Sequence, residues 1–216
     1  MKKEIKKIPK AVVRRLTKYY RYLTELQQKE VERVSSAELS RITGFTASQI
    51  RQDLNHFGGF GQQGFGYRVA SLKDQVATIL GLNRGEKLAI VGIGHLGKAI
   101  ANSQLFTNRG YRLAALFDSS PDKIGKSLRG IEILDVKDLE ETCRKLEINI
   151  LTITTPPEHA QEVAEAAARA GIQGIWNFAY SDLVLPKGVV IENVSLEESL
   201  HTLTYYIHNP HDYREN

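Results

Sequence analysis

A chain of 216 residues with 42% hydrophobic and 25% charged residues has the make-up of a folded globular protein of one large or two small domains, which excludes wholesale disorder and a fibrous repeat. No apolar run reaches the roughly 18–20 residues of a membrane helix, the basic start MKKEIKKIPK lacks the apolar centre of a signal peptide, and the lone Cys143 excludes an internal disulfide and a multi-cysteine metal site. The expectation is a soluble cytoplasmic protein. Charge is spread unevenly: residues 1–84 carry 16 Lys and Arg against 7 Asp and Glu, and residues 85–216 carry 13 against 18. A basic first third on an acidic remainder suits one part to a polyanion and not the other.

In chain order, Val12, Val13, Leu16, Tyr19, Tyr20, Leu23 and Leu26 recur at helical spacing after Pro9, a residue that suits a helix start. Ser35-Ser36-Ala37-Glu38 then has the Ser and Glu spacing of a capping box, Leu39 and Ile42 supply the expected buried side of a short helix, and Gly44 can end it. Thr46-Ala47-Ser48-Gln49 opens another helix two residues later, so the pair predicts a helix-turn-helix. In the second helix Ile50, Leu54 and Phe57 form the core stripe, while Ser48, Gln49, Arg51, Gln52, Asn55 and His56 lie largely off it. Directional donors and acceptors with one fixed charge are what reading base edges requires. From Gly58 to Arg68 five glycines are interleaved with aromatics, which predicts a wing. Residues 1–80 read as a winged-helix DNA-binding domain, with a connecting helix over Ser71–Leu80 and a boundary at Gly81–Gly85.

The second part starts with a short β-rich run, Lys87–Val91, followed at once by Gly92-Ile93-Gly94-His95-Leu96-Gly97 and a helical stretch. In that context the glycines have separate duties: Gly92 for the tight turn, Gly94 for close approach of a pyrophosphate, Gly97 for close helix–sheet packing. A second strand, Leu113–Phe117, ends in Asp118, 21 residues beyond Gly97, where an acid can accept ribose hydroxyls and repel a 2′-phosphate. A further strand over Ile148–Ile153 ends at Thr154-Thr155, an alanine-rich helix covers Glu158–Ala170, and Gly174–Phe178 is another strand. Alternating strands and helices predict an α/β Rossmann-like parallel sheet over residues 86–192, with NAD(H) held near Gly94, Asp118 and Thr155. Residues 193–216 hold one amphipathic helix suited to packing on a partner subunit. No catalytic triad, paired carboxylates or H-E-x-x-H motif stands out, so an enzyme is not expected. A small oxidoreductase with a basic adaptor, or a module that binds coenzyme A, are the alternatives.

The whole chain resembles the Rex family of redox-sensing transcriptional repressors. The likeness is carried by Ile8-Pro9, Arg15-Leu16 and Tyr19–Leu23, by Thr46–Leu54 with Phe57-Gly58, by Gly64–Tyr67, by Gly92–Gly97, by Ala170–Ile172 with Asn177–Ala179, and by Glu192–Val194. The resemblance implies a homodimer with a swapped C-terminal helix, two winged helices on a palindromic double-stranded operator, and release of DNA when NADH binds, whereas NAD+ permits binding. It assigns Arg15, Arg51 and Gln52 to phosphates and bases, and Gln62 and Gln63 to the minor groove; Ser48 and Gln49 join them as expected DNA contacts from the polar face of the second helix. Gly92, Ile93, Gly94, His95, Leu96 and Gly97 would form the NAD loop, with Asp118 on the adenosine ribose. The tyrosine and aspartate through which some relatives sense NADH are matched by Ser103 and Ser195, a phenylalanine packing on the partner's nicotinamide is matched by Leu196, and Arg21 is retained.

Overall fold

A computed structural model describes residues 8–58, 66–108 and 110–213, and the chain divides into two compact units, one made of the chain up to Asn83 with the residues from His211 on, and one over Arg84–Pro210.

In the first unit, α1 (Lys10–Gln28) starts after Pro9, whose missing N–H costs nothing at a helix entrance, and buries Val12, Leu16, Tyr19 and Leu23. β1 (Arg33–Val34) leads into α2 (Ser36–Thr43), which opens on a complete capping box: the Glu38 N–H donates to Ser35 Oγ at 3.1 Å and the Ser35 N–H donates to Glu38 Oε2 at 2.7 Å. Gly44, at φ 78°, ends α2 in the left-handed conformation that a side chain would strain. α3 (Ala47–Asn55) follows, its first turn capped by Thr46, and β2 (Tyr67–Arg68) pairs antiparallel with β1 before α4 (Val69–Ile79). Leu16, Leu23, Leu39, Ile50, Leu54, Leu72 and Val76 close one core.

One expectation changes here. On α2 the buried pair is Leu39 and Thr43, with Ile42 39% exposed. Residues four apart share a face better than residues three apart on so short a helix, and the Thr43 hydroxyl is satisfied by donating to the Leu39 carbonyl at 2.7 Å. On α3 the expected stripe holds: Ile50 and Leu54 are buried, Phe57, just past the helix end, is half-buried and packs against the same core, and Asp53 is buried beside them.

The second unit is a seven-stranded sheet. Its elements are β3 (Glu86–Val91), α5 (His95–Ala101), α6 (Leu105–Asn108), β4 (Tyr111–Asp118), β5 (Ser127–Leu128), β6 (Ile131–Asp135), α7 (Leu139–Leu146), β7 (Ile150–Ile153), α8 (Pro157–Arg169), β8 (Gly174–Asn177), β9 (Val190–Asn193) and α9 (Leu196–His208). The strand order is β5-β6-β4-β3-β7-β8-β9; only the β5–β6 pair is antiparallel. The chain therefore leaves the central β3 toward β4 and later returns to its other side with β7, which opens a crevice beyond the carboxyl ends of β3, β4 and β7. Alternate residues of the strands face two cores. Ala89, Val91, Leu151, Ile153 and Ile175 pack with α7 and α8, and Ile90, Leu113, Leu116 and Ile133 pack with α5. Along α8 the buried positions are Ala160, Val163, Ala164 and Ala167, small enough to let the helix lie close on the sheet.

Candidate functional site

The turn between α2 and α3 sets out the basic unit's polar face. Ser48, Arg51, Gln52, Asn55 and His56 are exposed on α3, and Gln49 is half-buried on its flank. Arg51 reaches back to the start of α2, its Nη1 donating to Ser36 Oγ at 2.9 Å. The face therefore presents one cation between hydroxyl and amide groups, the chemistry that combines phosphate positioning with base reading. Gln62 and Gln63, singled out for the minor groove, lie outside the described residues.

Arg15 has another partner. Its Nε donates to Asp53 Oδ2 at 2.7 Å and its Nη2 to Oδ1 at 2.8 Å, and the Tyr19 hydroxyl donates to Oδ2 at 2.8 Å. The hydrogen bond to Asp53 holds the Arg15 guanidinium above its ordinary pKa, and burial followed by Asp53 pushes the Tyr19 hydroxyl up as well. Sequence reasoning missed Asp53. Its signal was an acid among Ile50, Leu54 and Phe57 in the core stripe of α3, facing Arg15 and Tyr19 four residues apart on another helix.

At the carboxyl ends of β3, β4 and β7 each glycine has a physical reason. A Cβ on Gly97 would sit 2.1 Å from the Gly92 carbonyl oxygen and 2.9 Å from Thr154 Oγ1; one on Gly92, at φ 92°, would meet the Thr154 carbonyl at 2.8 Å. One on Gly94 would meet nothing within 4 Å, so this bare backbone faces the space a ligand backbone or phosphate could use. Thr154, also missed from the sequence, locks the loop: its hydroxyl lies 2.9 Å from the Val91 carbonyl oxygen and 2.7 Å from that of Gly92. Thr155 Oγ1 is buried without a partner among the described residues, a polar atom left over for a ligand group. Ile93 is fully buried, while His95 and Leu96 are exposed at the start of α5. These features fit a dinucleotide: open backbone for the pyrophosphate, a spare hydroxyl and an acid.

Asp118 is that acid, and it is already engaged. The Ile93 N–H donates to its Oδ2 at 2.7 Å, Lys123 Nζ donates to the same oxygen at 2.9 Å, and the Ser120 N–H donates to Oδ1 at 2.9 Å. An ionised carboxylate offers about four acceptor positions, so one ribose hydroxyl fits on Oδ1 directly and a second requires Lys123 to let go. Burial works against the charge, but Lys123 and the two backbone N–H groups outweigh it and hold the carboxyl below its usual range. With a lowered folded-state pKa, the carboxylate's stabilisation is complete above the unfolded value of about 4 and is lost as pH falls through the folded value. Thermal melts of the wild type and Asp118→Asn should therefore differ at pH 7 and converge in acid; equal melting temperatures at both would contradict the assignment.

The positions matched to the family's switch have local duties. Ser195 caps α9, accepting from the Glu198 N–H at 3.0 Å. Ser103 Oγ is buried without a partner among the described residues, and the Ser103 carbonyl accepts from Arg129 Nη1 at 3.2 Å. Arg21 is an exposed side chain 3.9 Å from Glu25 and over the ring of Tyr22. Leu196 is 70% exposed, and no residue of α9 is buried. Cys143 is buried and its thiol pushed up to about 12, which keeps it protonated and unreactive. An apolar cavity of about 350 Å³, lined by Leu88, Tyr111, Ile150, Trp176 and Val190, opens toward the amino ends of the strands, away from the glycine loop.

Residues 7–55 match the family model "Putative DNA-binding protein N-terminus", and residues 83–180 match the model "CoA binding domain". The chain is 52% identical over 200 residues to the redox-sensing transcriptional repressor Rex of Clostridioides difficile (strain 630), covering 93% of this chain and 95% of that one. Among solved structures it is similar to RSP in complex with β-NAD+ and operator DNA, with a TM-score of 0.91 and 45% identity over 95% of this chain and 94% of that one. It is also similar to RSP in complex with β-NADH, with a TM-score of 0.87 and 42% identity over 97% of each chain.

Proposed function

Since this chain belongs to the Rex family of redox-sensing transcriptional repressors, we propose a division of labour in which residues 1–80 read DNA, residues 86–192 hold the coenzyme and residues 193–216 join two copies. The protein is a DNA-binding transcriptional repressor and not an enzyme, and NAD(H) is its redox-sensing ligand. No described helix is long and apolar enough to cross a membrane. A repressor works beside its DNA, and we assign this one to the cytoplasm.

On the DNA side, Arg51 contacts phosphate while Ser48, Gln52 and, from the flank, Gln49 meet base edges in the major groove; Gln62 and Gln63 approach the minor groove. Arg15 acts through Asp53. On the coenzyme side, the backbone of Gly92–Gly97 cradles the pyrophosphate, Asp118 takes a ribose hydroxyl, and Thr155 supplies a hydroxyl. The coenzyme, when bound, supplies a nicotinamide whose charge differs between its oxidised and reduced forms; the chain's part is to respond to that difference. Ser103, Ser195, Leu196 and Arg21 stand where the response is transmitted between the copies of a homodimer, whose two-fold symmetry fits a palindromic operator. NADH favours the arrangement that releases DNA.

The observation that carries this reading is the bare, open backbone at Gly94 between the crowded Gly92 and Gly97, in a chain that also presents the exposed polar face of α3. Gel-shift titration of an operator duplex should show tight binding with NAD+ and at least tenfold weaker binding with NADH. By reciprocity operator DNA should lower the affinity for NADH relative to NAD+ by the same factor. Equal operator affinity under both coenzymes would overturn redox sensing.

The match of residues 83–180 to a CoA-binding model favours one competing ligand. Displacement of bound NADH fluorescence by coenzyme A at micromolar concentration would support it; Asp118, ready to accept a ribose hydroxyl, argues for NAD(H).

A further inference from the structure

We infer that Asp53 is a positioning residue of the reading helix: its buried carboxylate, gripped by Arg15 and Tyr19 of α1, sets the roll of α3 about its own axis and so decides which side chains meet the bases. The inference rests on the reading of α3 as the element that enters the groove.

Asp53 is 2% exposed, and its three side-chain donors all come from α1. The same two α1 side chains also hold the turn that precedes α3. Tyr19 packs edge-on against the Phe45 ring with centroids 5.8 Å apart, and the Arg15 guanidinium lies 6.0 Å from that ring. Lys18 stands 5.1 Å above it. Both the entrance of α3 and its second turn are thus referred to one external support.

The apolar contacts of Ile50 and Leu54 are non-directional and tolerate a rolling helix. A guanidinium fork on a carboxylate is satisfied in one orientation only. A buried ion pair adds little stability over apolar residues of the same size, so its worth here lies in orientation. The outer face of a helix is about 5–6 Å from its axis, and a roll of about 20° carries a side chain there by about 2 Å, enough to break a bidentate contact with a base. Asp53 adjoins Gln52 and follows Arg51 by two residues, so the outward pair moves with it.

The test uses the full chain, a palindromic duplex selected by the wild type from a randomised pool, and a scrambled duplex of equal length. The triple variant Arg15→Met/Tyr19→Phe/Asp53→Leu exchanges the carboxylate and both of its donors for apolar groups and should remain folded by circular dichroism. Its ratio of selected-duplex to scrambled-duplex affinity should fall about tenfold, with the slope of log affinity against log salt unchanged, because no phosphate contact is removed. A ratio within twofold of wild type overturns the inference. So does a salt slope reduced by about one, which would mean that Arg15 itself touches phosphate. Should the triple variant unfold, Arg15→Lys decides: it keeps the charge and loses the fork, and a ratio lowered several-fold supports positioning whereas an unchanged one refutes it. If the wild type itself fails to prefer the selected duplex, the reading of α3 falls, and the inference with it; if the wild type discriminates and the variants do so equally, only the inference falls.

Discussion

Replacing Gly97 with alanine should cost the coenzyme-binding unit about 3 kcal/mol or more and abolish dinucleotide binding, whereas Gly94→Ala should leave stability unchanged and weaken only the binding. The contrast follows from what each new methyl group would meet. At Gly97 it would come 2.1 Å from the backbone oxygen of Gly92, an atom that no rotamer change can remove, and 2.9 Å from Thr154 Oγ1. That oxygen is itself engaged by the Thr154 hydroxyl at 2.7 Å, so relief would have to displace the loop and the end of β7 together. At Gly94 nothing lies within 4 Å. A methyl there is harmless to the free chain and stands in the space assigned to the pyrophosphate. Differential scanning calorimetry with NADH titration separates the two. A Gly94→Ala variant with wild-type NADH affinity would show that the pyrophosphate lies elsewhere.

On the proposed homodimer, Leu200→Asp should yield monomers and lower operator affinity by about a hundredfold, with no loss of secondary structure. Leu196, Leu200, Leu203 and Ile207 lie at i, i+4, i+7 and i+11 on α9 and are 70%, 60%, 55% and 64% exposed. A stripe of this regularity left in water forgoes about 1.5–3 kcal/mol for each side chain that could be buried, and a second copy supplies an identical stripe by symmetry. Because Leu200 is exposed in the single chain, an aspartate there has nothing to disrupt within it, but buried at an interface it would strand an unpaired charge. Two half-sites read by one tethered pair of helices gain from effective concentration, and two free monomers lose that gain. Sedimentation equilibrium and operator titration on the same preparation check both statements; a variant that stays dimeric would locate the interface elsewhere.

Much of this was legible along the chain, because the signals are local. The capping box at Ser35 and Glu38, the helix stop at Gly44, the glycine spacing from Gly92 to Gly97 and the stripe of α9 each depend on residues within a few positions of one another, and each formed as its pattern required. The basic first third and the acidic remainder likewise belong to composition. The short edge strands β5 and β9 left little trace, since two to four residues carry no periodicity to read.

What only the tertiary structure decided are the long-range partners. Arg15, expected on DNA, is turned inward to Asp53, 38 positions away; Ile93 and Gly92 depend on Asp118 and Thr154, 25 and 62 positions away. Thr43, four residues from Leu39, is inward and Ile42, three residues from it, is outward, a choice between two neighbours of Leu39 that is made only when α2 packs. Local propensity is set by neighbours in sequence, but the choice of a buried charge's partner is set by how helices and strands pack. That packing is where the reading helix acquires its orientation and the coenzyme loop its rigidity.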